Sequence, residues 1–279
     1  LMDLARFLDG VEEAFAGDPQ DSEPVDPRYG QLVQDVAGYT SAAELAVLNV
    51  AARLLPPDEC YLEVGSYKGR SMCGAVQGVD DRVFYVLENY LEFGMQGEQA
   101  RQELHDNLAR HAAHADVRLL EGNCFELLRR PGLLDRPVGV YFYDGEHTAT
   151  SHYLALGMIE PWLADEALVL VDDATYPMVS DAHDAYIARH PQWRVERRWD
   201  ARSNDDPLWA NGLHALSFRR DAASARGSAE TFDVRWRRLA YAGALGPGQK
   251  AAWKAIHTYP GLVPLAKKLY PSKKASTID

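Results

Sequence analysis

Three aspartates, a histidine and a glutamate are spaced so that one site could use them all. Asp144 follows the apolar run Val138–Tyr143, and Asp172-Asp173 follows the apolar run Ala167–Val171. If the two runs are neighbouring strands, about 4.8 Å separates them and the carboxylates that follow can converge. Three converging acids repel one another unless a cation lies between them. All-oxygen ligation selects a hard ion, Mg²⁺ first, with Mn²⁺ or Ca²⁺ as alternatives. The competing account is that Asp144 and Asp173 cap the helices after them, which suits a doubled acid less well than a single one. His147 comes three residues after Asp144 and could take a hydroxyl proton near neutral pH. Glu146 is the rival base, and an exposed histidine at a helix start is the non-catalytic alternative.

A second constellation lies upstream. Tyr61-Leu-Glu-Val-Gly-Ser-Tyr-Lys-Gly-Arg-Ser71 reads as a buried strand, a turn with Gly65 and Gly69, and the first turn of a helix. Such a turn presents backbone N–H groups to a closely approaching ligand. It is not the Gly-x-Gly-x-x-Gly of a dinucleotide site, because Tyr67 stands where the second glycine would be. Glu88 ends the next apolar run, Val83–Leu87, and could accept hydrogen bonds from the two hydroxyls of a ribose; otherwise it caps the following loop. Among the remaining histidines no His-Glu-x-x-His spacing occurs, nor does a Gly-x-Ser-x-Gly elbow, so zinc-protease and serine-hydrolase chemistry are excluded.

These residues need a scaffold that brings strand ends together. Apolar runs at 61–64, 83–87, 117–120, 138–143 and 167–171 alternate with helical stretches, which predicts a parallel α/β sheet covered on both faces. Two further strands, 193–199 and 212–218, are joined by the polar loop 200–207 and predict a closing hairpin with one antiparallel strand, seven strands in all. Ligands on such sheets bind beyond the carboxyl ends of the strands. Upstream, Leu4, Phe7, Leu8, Val11 and Phe15 form one apolar stripe and predict a helix over 2–16 docked on the core, with a flap over a pocket as the alternative. Residues 17–30 read as a linker. Ser41 and Glu44 form a capping box that opens a helix running to about Leu55.

Bulk composition narrows the function. The chain has 279 residues, 47% hydrophobic and 25% charged, with a net charge of −12. That balance argues against nucleic acid as the partner. No apolar run reaches the length of a membrane span. Cys60, Cys73 and Cys124 are too scattered for a disulfide frame or a zinc knuckle, and with no secretory signal visible a reduced cytoplasmic setting is expected. From Asp221 onward ten Lys/Arg face four Asp/Glu, a balance of +6 against −18 for residues 1–220. The basic segment is therefore expected to lie on the acidic body or on a partner's, and a homo-oligomer is expected. Trp199, Trp209 and Trp236 could stack on an acceptor ring, or serve as core or interface residues.

Taken together, these motifs resemble those of class I S-adenosylmethionine-dependent methyltransferases, within them the metal-dependent O-methyltransferases of the catechol and antibiotic-sugar types. Leu62–Ser71, including the tyrosine between its glycines, Glu88, and Tyr143-Asp-Gly-Glu-His147 with Val171-Asp-Asp173 carry the resemblance, over residues 40–220. It implies a Rossmann-like methyltransferase fold. It also implies that Glu63, Gly65, Ser66, Tyr67, Gly69 and Ser71 surround the methionine part of S-adenosylmethionine, that Glu88 holds the ribose, that Asn123 and Cys124 border the adenine, and that Asp144 lies beside the cofactor. Asp144, Asp172 and Asp173 would hold Mg²⁺, and His147 or Glu146 would deprotonate a hydroxylated small-molecule acceptor, a sugar moiety or a vicinal diol. Catechol-type enzymes have lysine where this chain has His147, and commonly Asp-Asn where it has Asp172-Asp173. That departure points towards the sugar-modifying branch. Residues 1–39 and 221–279 fall outside the resemblance and are read as an N-terminal helix with a lid or linker and a basic helical extension. The alternatives are a same-fold metal enzyme of hydroxylase-type chemistry and a non-catalytic S-adenosylmethionine-binding protein.

Overall fold

A computed structural model of the chain describes residues 2–90, 94–203, 206–221, 230–245 and 248. Seven strands form one sheet in the order β3-β2-β1-β4-β5-β7-β6. They are β1 (Cys60–Val64), β2 (Val83–Glu88), β3 (Asp116–Glu121), β4 (Val138–Tyr143), β5 (Leu163–Val171), β6 (Trp193–Trp199) and β7 (Leu213–Arg219). All pairings are parallel except those of β7, which runs antiparallel to β5 and β6. The expected doubly covered sheet with a single reversed strand is what forms.

Strand periodicity divides the core in two. Tyr61, Phe84, Val86, Val140, Phe142, Leu168 and Leu170 point to one face. Leu62, Tyr85, Leu87, Tyr141, Tyr143, Val169 and Val171 point to the other. Both sets are almost fully buried, which is why the inner strands read as continuous apolar runs rather than alternating ones. The first face is covered by α1 (Leu4–Ala14), α2 (Arg28–Asp35), α3 (Ala42–Leu54) and α4 (Arg70–Ala75), with α5 (Gly94–His111) alongside α4. The second carries α6 (Cys124–Leu127), α7 (Ala149–Ile159), α8 (Pro177–Ile187) and α9 (Phe232–Ala240), after which the chain makes a π-helical turn, Tyr241–Leu245.

Register does the positioning. Val64 pairs with Leu87 on one side and Tyr143 on the other, and Tyr143 pairs with Val171. The next residue on each strand is Gly65, Glu88, Asp144 or Asp172, so these four line up along one rim. The chain reverses strand order between β1 and β4, the switch point at which such sheets bind ligands.

At the N-terminus the docked-helix expectation holds: Phe7 and Val11 are buried, and α1 lies on α3. Residues 17–30 differ from the expected linker, because α2 begins at Arg28 and buries Tyr29 and Leu32. The Tyr29 hydroxyl donates to Asn49 Oδ1 (2.8 Å), so the prolines and aspartates of the stretch lead into a helix anchored on α3. The capping box at Ser41 and Glu44 forms as read. The helix α7 starts at Ala149, where Thr148 caps it by accepting from Ser151 N. Trp199 and Trp209 stack on each other (centroids 5.2 Å apart) in the core, out of reach of any acceptor, whereas Trp236 is exposed. Most of the basic extension, including residues 249–279, lies outside the described residues. No helix among the described residues is long and apolar enough to cross a membrane.

One side chain ties the N-terminal segment to the glycine turn. Arg70, the first residue of α4, donates to the carbonyls of Val36 (2.6 Å), Val33 (3.0 Å) and Thr40 (3.1 Å). A planar guanidinium can serve three acceptors in fixed directions; an ammonium cannot match that geometry. Arg70→Lys and Arg70→Met are both expected to destabilise the fold, Arg70→Met by about 2 kcal/mol or more. Urea unfolding reads this as a lower midpoint at constant slope; an unchanged midpoint would remove the anchoring role.

Candidate functional site

The turn after β1 is shaped by a contact that only glycine allows. Gly65 has φ +88°, and a Cβ there would stand 1.9 Å from the Asp144 carbonyl oxygen. The ends of β1 and β4 are therefore pressed together, with Asp144 N donating to Val64 O (2.9 Å). Tyr67 also lies in the left-handed region, φ 48°, a conformation uncommon for a bulky residue. Its N–H donates to Glu88 Oε2 (2.7 Å) and its carbonyl accepts from the Tyr90 hydroxyl (2.9 Å). Gly69 caps α4, and the Tyr67 ring stays partly exposed at the rim.

Glu63 lies beneath this turn, fully buried. One of its oxygens accepts from the hydroxyls of Ser66 and Ser71, the latter at 2.6 Å. Burial pushes its carboxyl up to about 7, the two hydroxyl bonds partly offset this, and Glu88 adds to it. Glu63, Ser66 and Ser71 thus brace the turn from below. Glu88 is half-buried at the end of β2 and accepts from Tyr67 N through one oxygen and from Asn89 N (2.7 Å) through the other. It caps the following loop and binds the glycine turn at once, with the Ser66 backbone N–H as a third donor to it. Asn123 caps α6 by accepting from Phe125 N (3.0 Å) and Glu126 N (3.3 Å). Burial pushes the Cys124 thiol up to about 12, with Glu146 and Glu88 contributing, so it is an unreactive thiol at the same rim.

The acids gather at the ends of β4 and β5. Ligand atoms of Asp144, His147 and Asp173 lie within 4.8 Å of one another. Neither aspartate caps a helix: Thr148 caps α7, and Tyr176 stands at the start of α8. Asp173 takes the left-handed φ of 56°, which turns its side chain out of the strand alternation and towards the rim. There its Oδ2 meets His147 Nδ1 at 2.8 Å. Asp172, buried behind them, reaches Asp144, and its Oδ1 has no hydrogen-bond partner among the described residues. The structure thus brings His147 into the group that was expected to be aspartates alone, with Asp172 as the acid behind it.

Burial and mutual repulsion raise both Asp144 and Asp172 well above the usual carboxylate range. Burial by itself would lower the His147 imidazole, but Asp173, Asp172 and Glu146 outweigh it and raise its pKa. Glu146 is engaged elsewhere: its carboxylate accepts from the hydroxyl of Tyr241, in the π-helical turn.

A fourth acid joins the cluster unannounced. Glu44 is buried and raised, first by burial and then by Asp172, with Asp173 adding to it. Its Oε2 closes the capping box by accepting from Ser41 N (2.7 Å), while Oε1 is buried without a partner among the described residues. Sequence reasoning saw only the capping box, and nothing local to Glu44 signals that the start of α3 abuts the end of β5. Converging carboxylates, two buried oxygens without partners among the described residues and one imidazole are a donor set suited to a divalent cation.

Two expectations follow. Glu63 titrates higher folded (about 7) than at its ordinary value of 4.5, so the fold favours its protonated form. Its stabilising contribution is full below about pH 4.5 and is lost as pH rises towards 7. Thermal melts from pH 5 to 8 should show the wild type losing stability relative to Glu63→Gln; parallel profiles would contradict this. Gly65→Ala should cost several kcal/mol, because backbone rather than a movable side chain opposes the new methyl. A near-wild-type melting temperature would show that the strand ends can part.

Comparison with known proteins accords with this geometry. The family model described as "Methyltransferase domain" matches residues 62–174, from β1 to just past Asp173. Among solved structures, the fold is similar to an O-methyltransferase from Bacillus cereus in complex with SAH, with a TM-score of 0.53 and 13% identity over 70% of this chain and 92% of that one. It is also similar to the O-methyltransferase TomG of Streptomyces achromogenes, involved in tomaymycin synthesis and solved with SAM (TM-score 0.51, 14% identity, 79% and 97% covered). The SAH-bound methyltransferase PaMTH1 of Podospora anserina is a third (TM-score 0.50, 14% identity, 78% and 95%). No curated protein sequence matches the chain. The matched methyltransferase domain spans the glycine turn, Glu88 and the acid cluster, and the chain shares its fold with these methyltransferases.

Proposed function

We propose that the protein transfers the methyl group of S-adenosylmethionine to a hydroxyl of a small molecule, with Mg²⁺ at the acid cluster. The observation that carries this reading is the cluster itself: Asp144, His147 and Asp173 converge beside the glycine turn, with Asp172 and Glu44 behind. Neighbours of the same fold that are O-methyltransferases support transfer to oxygen. We assign the glycine turn, with Gly65, Ser66, Tyr67 and Gly69, to the methionine part, Glu88 to the ribose, and Asn123 and Cys124 to the adenine border. Residues 40–220 would be the catalytic body, with residues 1–39 and 221–279 as its walls.

The donor set fits Mg²⁺. Asp144 and Asp173 would hold the ion, with Asp172 and Glu44 supplying negative charge from behind. Bound there, Mg²⁺ would lower a hydroxyl's pKa and orient a vicinal diol. The remaining work falls to side chains of this chain. His147 presents its second ring nitrogen to the acceptor's proton, and Asp173, on Nδ1, fixes the tautomer and stabilises the imidazolium that forms. With Glu146 bonded to Tyr241, His147 is the base that the geometry favours. When bound, S-adenosylmethionine would supply its sulfonium methyl to the oxygen that His147 deprotonates, the C–O bond forming as the C–S bond breaks and the electron pair staying on sulfur. The turn and Glu88 contribute by holding the methyl at attack distance.

Isothermal titration with S-adenosylmethionine tests the first step, and an absence of heat at high micromolar cofactor would overturn the reading. His147→Ala should lower kcat by about 10²-fold or more while leaving S-adenosylhomocysteine and Mg²⁺ affinities within about twofold. Loss of Mg²⁺ affinity in that variant would make His147 a metal ligand instead of the base.

A further inference from the structure

The segment after the sheet reaches back to the candidate cofactor site. Its helix α9 is fastened to α7, where Val234 packs so closely on Gly157 that a Cβ there would stand 2.4 Å from Val234 Cγ2. The Tyr153 hydroxyl donates to Asp233, and the Arg237 guanidinium lies over the Tyr153 ring at 4.1 Å. Thus anchored, the helix ends in the π-helical turn, a form often found at functional sites, whose first residue is Tyr241. The Tyr241 ring meets Phe125 edge-on, centroids 5.5 Å apart, and its hydroxyl donates to Glu146.

Those two partners fix where the ring stands. Phe125 follows Asn123 and Cys124 at the end of β3, and Glu146 follows Asp144 at the end of β4. β3 and β4 are separated in the sheet by β2 and β1, which is about 14 Å between strand axes. A ring that touches residues following both strands lies against the side of the rim that Gly65 and Glu88 occupy. The Cys124 thiol, next to Phe125, is raised by the charges of both Glu146 and Glu88, which places this corner between the ribose acid and the loop after β4.

We infer that Tyr241 is a cofactor-site residue: braced by Phe125 and held by Glu146, its ring forms the wall on which the adenine of S-adenosylmethionine packs. This rests on the cofactor assignment above. A flat aromatic wall suits a nucleobase because every base offers a π-face to it. The Glu146 bond adds a polar tether to a ring already braced by Phe125.

The test is titration of the full chain with S-adenosylhomocysteine and with 5′-methylthioadenosine, which keeps the adenosine and lacks the amino-acid end. Tyr241→Ala should weaken both about tenfold, and Tyr241→Phe, which keeps the ring, should stay within about threefold of wild type. Unchanged affinity in Tyr241→Ala would overturn the inference, as would weakening of S-adenosylhomocysteine alone, since the ring would then serve the methionine end. If Tyr241→Ala does not fold, Tyr241→Trp answers the question. Its added tryptophan emission should change on addition of 5′-methylthioadenosine, by difference from wild type, and an unchanged difference spectrum would overturn the inference. Wild-type protein that binds neither ligand would sink the cofactor assignment itself, whereas wild-type binding with indifferent variants sinks only the role of Tyr241.

Discussion

Electrostatic repulsion within a buried group of acids is the constraint on which the site depends. Asp144, Asp172, Asp173 and Glu44 share one end of the sheet, and the imidazole of His147 is set among them against Asp173. Removing charged carboxylates from water costs several kcal/mol each unless they are neutralised or paired. Burial and mutual repulsion raise Asp144 and Asp172, which favours their protonated forms. Such an arrangement is poorly suited to stability alone. It is well suited to exchanging protons for a divalent cation.

The backbone enforces the convergence. Parallel register aligns Gly65, Glu88, Asp144 and Asp172 on one rim, and the absence of a side chain at Gly65 lets the Asp144 carbonyl close against β1. Glu88 then links β2 to the same turn through Tyr67 N. The glycine turn and the acid cluster are therefore one rigid unit rather than two neighbouring sites.

Much of this was legible from residue order. The strands are short, apolar and strongly bounded, so their ends, and the acids on them, could be located to within a few residues. The Ser41–Glu44 capping box was equally clear, because its chemistry is local. What stayed hidden depended on contacts distant in sequence. The helix α2 was masked by the prolines and aspartates before it, although Tyr29, Leu32 and Val36 have helical spacing and are buried. Glu44 carried a sufficient local explanation that concealed its place beside Asp172. Asp173 turns to His147 only because its backbone adopts a left-handed conformation that residue type does not announce. Tyr241 meets Glu146 across 95 positions, with nothing in either segment to suggest it.

Direct measurement of Mg²⁺ binding by calorimetry at pH 7, in buffers of different ionisation enthalpy, tests the central claim. Because burial and mutual repulsion raise these acids, the ion should bind with release of protons, seen as a heat that varies with the buffer. Asp173→Asn should weaken that binding. Mg²⁺ binding with a buffer-independent heat, or none at millimolar concentration, would contradict the account of these acids as a cation site.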